Sequence, residues 1–309
     1  MRTLLKNVRL LDNVYNLEPA DLLIDGERIA SLSASEAEQI LDLQGYTVLP
    51  GLVDTDMSCQ NAEELNGHLL TAARNGVTSA RCNRMQTAVQ AGLPYVLYSY
   101  SVVHGSPDLD ILMSGKIKAG GIKLSHRLVT ESSTEELQSI CRRCAQRGAW
   151  VTAHAKTPKE LQTLTLCGIT ELLDIPIFPI PEYLIVRMVA KGICITLSAS
   201  EPLSHVQKEN LCKFHACGGM IAVSSGDGTL SVSGFQIIQL MEAGLSLQTA
   251  VKCATLCGAA ILGTAAEDGS IMAGKYANLV IVHGDPAVDP SVLTRIEYVV
   301  RKGKLWHVN

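Results

Sequence analysis

The sequence predicts a (β/α)8 (TIM) barrel carrying a small β-sandwich built from both chain ends. Three observations predict it. Short strand-like runs with tight turns lie at each end, about eight strand–helix alternations lie between them, and no Gly-x-Gly-x-x-Gly turn follows the first internal strand. The last of these removes the main support for a doubly wound dinucleotide-binding sheet. The 309 residues are 47% hydrophobic and 18% charged, enough for a large core and too apolar for general disorder. With 26 basic residues against 30 acidic and no long basic run, the electrostatic footprint of a nucleic-acid binder is missing.

The ends come first. Leu4–Leu11, Asp21–Ile24 and Arg28–Leu32 read as short strands with an Asp25-Gly26 turn, a β-hairpin signal. Ala277–Val282, Ile296–Arg301 and Lys304–Val308 repeat the style around Lys302-Gly303. Neither end has enough strands to bury an apolar face alone. Pairing residues 1–49 with 266–309 into one β-sandwich solves both problems and leaves 50–265 for the barrel.

Within the barrel region, strands are expected to begin near Val48, Val77, Tyr95, Gly121, Trp150, Ile169, Gly192 and Met220. Helical patterns follow most of them: Ala62–Asn75, Thr134–Arg147, Pro158–Cys167, Glu182–Lys191, Val206–Ala216 and Gly234–Ala243. The most apolar stretch, Leu172–Val186, is broken by Asp174, three prolines and Glu182, so no run of about 18 apolar residues spans a membrane. The first residues carry charges every few positions and no apolar core of signal-peptide length. A cytoplasmic protein acting on a small molecule is expected, with no nucleic-acid or membrane partner; a homo-oligomer is left open.

Two segments carry a family resemblance. Gly45-Tyr-Thr-Val-Leu-Pro-Gly-Leu-Val-Asp54 resembles the start of the first barrel strand of the amidohydrolase superfamily, particularly its imidazolonepropionase-like members. Glu242–Thr255, Ala259–Gly263 and Gly269–Val282, closing with Gly284-Asp-Pro286, resemble that superfamily's C-terminal signature. The resemblance implies a barrel with a terminal β-sandwich. It also implies one or two divalent metals at the C-terminal ends of the strands, where barrel active sites sit.

Position by position, Asp54 matches, while Asp56 and Ser58 stand where the superfamily's first-strand His-x-His pair would be. Lys123 falls on the fourth-strand lysine that is carboxylated in binuclear members, and His154 on the fifth-strand histidine. Asp174 stands at the sixth-strand histidine and Asp227 at the eighth-strand aspartate that ligates metal and shuttles protons. The implied metal set is therefore His154, Asp227, Lys123, Asp56 and Asp174, with Asp227 also catalytic. Zinc is the metal the resemblance implies. The oxygen-rich donors would suit Mn²⁺ or Mg²⁺, and loss of both imidazoles leaves open that none binds. His126, three residues after Lys123, and His205, after the seventh strand, are candidates for substrate contact. Read without the resemblance, His154 is a satisfied strand-end histidine, Lys123 a salt-bridged lysine, and Asp54 a carboxylate that orders neighbouring loops.

Three functions follow. The first is a metal-dependent hydrolase of a C–N bond, as in a cyclic amide, imidazolone or dipeptide. The alternative is a catalytically impaired relative that keeps the barrel as a binding or scaffold protein. A metal-free enzyme using Asp and His for proton transfer is the third.

Ten cysteines invite a disulfide or zinc reading, but Cys141 and Cys144 share one helical stretch, where an i,i+3 bridge would strain the turn. All thiols are expected to be reduced. Thiol titration under denaturing, non-reducing conditions should count close to all ten; a clear deficit contradicts this.

Overall fold

The computed structural model describes residues 1–33, 36–59, 61–82, 95–98, 100–103, 110, 120–198, 201–226 and 231–308. The chain opens with β1 (Arg2–Leu11), β2 (Asn16–Asp25), β3 (Arg28–Ser31), β4 (Gln39–Asp42) and β5 (Tyr46–Pro50). The barrel strands are β6 (Leu52–Met57), β7 (Val77–Cys82), β8 (Tyr95–Tyr98), β9 (Tyr100–Val103), β10 (Gly121–Leu124), β11 (Trp150–His154), β12 (Glu171–Leu173), β13 (Cys194–Ser198) and β14 (Ile221–Ser224). The chain then returns through β15 (Leu279–His283), β16 (Ile296–Arg301) and β17 (Lys304–His307).

The terminal strands form one sheet in the order β17-β16-β15-β5-β1-β2-β3, with β4 also on β1. Its seam is the antiparallel pairing of β5 with β15, which sets Val48 opposite Ile281. Leu10, Leu22, Val48, Leu279, Ile281 and Val300 fill its apolar interior. The β16–β17 hairpin turns on Lys302 and Gly303, at φ +46° and +72°. Two consecutive left-handed residues are what a tight hairpin turn of matching twist requires.

All barrel pairings are parallel: β6 with β7, β7 with β8, and β9 through β14 in succession. β8 and β9 flank residue 99 and share the third place, one pairing back to β7 and the other forward to β10. The ring closes where Met57 bridges Gly226 and the Ser58 amide donates to the Gly226 carbonyl at 3.0 Å. The fold is a (β/α)8 barrel with a β-sandwich formed by the two ends.

Two expectations shift in detail. The run from Val48 divides at Gly51, so that β5 joins the terminal sheet and β6 the barrel; a Cβ at Gly51 would lie 2.1 Å from Thr78 Oγ1. The strands expected from Ile169 and Gly192 begin instead at Glu171 and Cys194. Gly168 and Gly192, at φ +84° and +69°, adopt the left-handed conformation that follows a helix end and delay the strand.

Side-chain caps set the helix starts. Ser133 and Thr157 accept from the Glu136 and Glu160 amides, each at 3.2 Å, and Ser204 and Ser233 exchange bonds with Gln207 and Gln236. Cys141 and Cys144 are buried on helix Thr134–Ala145, and burial pushes their thiols up to about 12 and about 11, leaving them protonated and inert.

The barrel interior is unusually polar. Arg81 pairs with Glu171, both fully buried, and the Thr196 hydroxyl donates to the same carboxylate. The Arg81 guanidinium lies 5.3 Å from the centre of the Trp150 ring, which in turn covers Gly120 and Gly121. A Cβ at Gly121 would sit 2.4 Å from the indole, so Gly121→Ala should displace Trp150. A loss of about 1–3 kcal/mol is expected from such overpacking, read as a lower urea midpoint at unchanged slope. An unchanged midpoint would show that Trp150 does not pack there.

Candidate functional site

A cavity of about 610 Å³ opens at the C-terminal ends of the barrel strands. Each wall residue comes from a different strand end: Asp56 from β6, Lys123 from β10, His154 from β11, Asp174 just after β12. Ser198 at the end of β13 and Ser225 after β14 complete the polar ring. In a parallel barrel all such ends lie on one face, so residues far apart in sequence share one mouth.

Two charge pairs organise it. The Lys123 ammonium donates to Asp56 Oδ2 at 2.9 Å, with the carboxylate almost wholly buried. His154 Nδ1 lies 3.0 Å from Asp174 Oδ2. Asp174 has φ +66°, an uncommon conformation for a non-glycine residue, and its amide donates to the Thr196 carbonyl at 2.9 Å. Held strain of this kind concentrates at functional sites, because the surrounding structure must fix it.

Beneath the mouth, Asp54 is fully buried. Its Oδ1 accepts from the Asp56 amide at 3.2 Å and the Ser225 amide at 3.0 Å, tying the first strand to the eighth. Burial pushes its carboxyl up to about 6, against the lowering effect of those hydrogen bonds.

The cavity therefore collects Asp56, Lys123, His154 and Asp174. Asp227 lies outside the described residues. Of the two candidates for substrate contact, neither His126 nor His205 is among the described residues that line the cavity. Both open a helix just after its cap, where His126 Nε2 is 3.6 Å from Glu160 and the highly exposed His205 is 3.8 Å from Glu209.

Sequence reading missed Glu201, Gln207 and the apolar wall of Ile175, Leu197 and Leu203. The Ser204–Gln207 capping pattern was a legible helix start, but only the folded chain shows Gln207 Nε2 donating to the Ile175 carbonyl at 3.1 Å. Asn210 adds three bonds to the same loop, to the Ile180 amide and the Pro176 and Phe178 carbonyls. A helix flanking the mouth thereby fixes the wall beside Asp174.

The sequence model of the amidohydrolase family matches residues 179–306. A dihydroorotase of Thermus aquaticus is 38% identical over 80 residues, 24% of this chain and 19% of that protein. A dihydroorotase of Lactobacillus johnsonii is 26% identical over 220 residues, covering 63% of this chain and 51% of its relative. This chain thus spans about half, or less, of the curated relatives it matches. In structure it resembles a Xaa-Pro dipeptidase with methionine bound in its active site, with a TM-score of 0.80 at 19% identity over 99% of this chain and 100% of that one. The match to the amidohydrolase family covers residues 179–306, and the likeness to the dipeptidase is one of fold.

The resemblance to amidohydrolases implies a divalent metal at this mouth, and the residues present can be tested against one. Lys123 Nζ donates to Asp56 Oδ2 at 2.9 Å. Asp56 and Ser58 provide no imidazole, and His154 Nδ1 is directed to Asp174. Among the described residues no three His, Cys, Asp or Glu side chains gather as a metal site. The described donors do not fit the superfamily's metal centre.

The buried Asp54 carboxyl gives a pH prediction. Its folded value near 6 exceeds the ordinary 3.8, so the native state binds this proton more tightly. Its contribution is complete below about pH 4 and is lost as pH rises through 6, a change of about 3 kcal/mol. Asp54→Asn should remove that part of the slope. Urea unfolding at pH 4 and pH 7 checks it: equal pH slopes in wild type and variant would contradict the assignment.

Proposed function

We propose that this cavity is the active site of an amidohydrolase-type hydrolase that cleaves the C–N bond of a small amide, with His154 as the proton-transferring group. The observation that carries the reading is the His154–Asp174 pair at the barrel mouth, held by a strained backbone. Dihydroorotase-named relatives and the amidohydrolase family match support the reaction class.

The chemistry follows from the geometry. Asp174 Oδ2 accepts from His154 Nδ1, which fixes the tautomer and leaves Nε2 as the acceptor. Nε2 then takes a proton from water as it attacks the amide carbonyl, and returns it to the leaving nitrogen. Lys123, oriented by Asp56, places positive charge where the carbonyl oxygen becomes negative. A divalent metal, as the superfamily resemblance implies, would polarise that carbonyl and acidify water, but the described donors do not assemble its site. Asp227 as proton shuttle belongs to that metal-dependent version.

A second reading, a binding or scaffold protein, is favoured by the Asp56–Lys123 ion pair occupying positions where relatives of the motif hold ligands. Measurement separates the two. With cyclic amides and dipeptides as substrates, His154→Ala should lower kcat/KM by about 10²–10⁴-fold, and Asp174→Asn should lower kcat while steepening or moving the pH profile. Metal analysis of protein purified without chelator should find less than one ion per chain. Hydrolysis that survives His154→Ala, or requires a stoichiometric ion, overturns the histidine mechanism; no hydrolysis across the panel gives the binding reading its place.

A further inference from the structure

We propose that the cavity selects a small amide bearing a protonated amine and disfavours one bearing a carboxylate. This rests on the cavity being the substrate site of the proposed hydrolase. Among the described residues that line it, the carboxylates are Asp56, Asp174 and Glu201, while Lys123 is the only lysine or arginine. Asp56 is 2.9 Å from Lys123 and neutralises it. Over these described residues the remaining charge is about two negative units with His154 neutral and about one with it protonated.

Glu201 provides the uncommitted charge. It is exposed, no basic side chain among the described residues pairs with it, and its carbonyl accepts from the buried Gln239 amide at 2.7 Å, which anchors its backbone. Lys156 borders a separate hollow beside Asp174 rather than this cavity. Facing these carboxylates, Ile175, Leu197 and Leu203 present an apolar wall suited to an acyl chain. A negative cleft with low-dielectric walls concentrates cations and repels anions. An acyl chain against the wall, with an ammonium toward Glu201, matches both features.

Three probes share one amide: N-hexanoyl ethylenediamine, carrying an ammonium; N-hexanoyl-β-alanine, carrying a carboxylate; and N-propylhexanamide, which is neutral. Binding by calorimetry and hydrolysis by amine release are measured on the full chain. The ammonium probe should bind about tenfold or more tighter than the carboxylate probe, with the neutral one between. Added salt should narrow the gap, and Glu201→Gln should reduce it while Glu201→Lys reverses it.

Tighter binding of the carboxylate probe, equal binding of all three, or no binding of any overturns the inference. A gap that Glu201→Gln leaves intact overturns the role of Glu201. If the ammonium probe binds tightest but none is cleaved, the charge selection stands and the hydrolase reading fails. If the carboxylate probe is cleaved fastest, the hydrolase reading stands and the selection fails.

Discussion

Everything at the mouth depends on the seam that closes the barrel between its first and eighth strands. Asp54 Oδ1 gathers the amides of Asp56 and Ser225, the Thr55 hydroxyl donates to the Val223 carbonyl at 3.1 Å, and Ser58 N reaches Gly226 O at 3.0 Å. Each of these bonds is buried or half-buried, where an unmade bond costs about 1–3 kcal/mol. The seam therefore does more than finish the sheet. It fixes Asp56 and Ser58 on one side and Ser225 and Gly226 on the other, all of them walls of the cavity. A burial cost accompanies this. Asp54 carries its carboxyl in a fully desolvated place, and its hydrogen bonds only partly offset that penalty.

The opposite side of the mouth is organised by Thr196. Its hydroxyl donates to Glu171, the partner of Arg81, while its carbonyl accepts the amide of Asp174. One residue of β13 thus joins the interior ion pair to the strained aspartate that orients His154. Removing one member of a buried ion pair costs about 3–5 kcal/mol because a charge is left uncompensated. The pair also explains why Trp150 is kept inside the barrel: its ring lies against the guanidinium and fills the space left by two glycines. Polar interior and cavity wall are one connected structure.

The barrel was legible in the sequence because its signals are local. Periodicity located the strands and helices, and glycine or Ser/Thr/Gln caps marked most boundaries. Strand ends also placed Asp56, Lys123, His154 and Asp174 on one face, since topology alone does that. Their pairing was not legible. Whether Lys123 meets Asp56, or His154 meets Asp174, depends on side-chain directions across strands separated by tens of residues, which no spacing encodes. Glu201 and Gln207 were harder still, because they reach the mouth from the loop and helix after β13 and carry no motif. His126 and His205 looked suitable by sequence distance, yet each begins a helix and meets a glutamate outside the cavity.

The replacements at the mouth make chemical sense as a set. A lysine kept as an ammonium needs a carboxylate beside it, and Asp56 occupies the first-strand position that can reach it. An imidazole proposed to transfer protons needs a partner to fix its tautomer, and Asp174, just after β12, lies 3.0 Å from His154 Nδ1. Both pairings use side chains that would otherwise face a cation, and both leave the seam, the caps and the apolar core untouched. The scaffold can therefore keep the barrel architecture while the mouth changes its electrostatics, because separate residues determine the two. In the proposed reading Lys123 balances Asp56, and the carboxylates of Asp174 and Glu201 together set the sign of the field at the described wall.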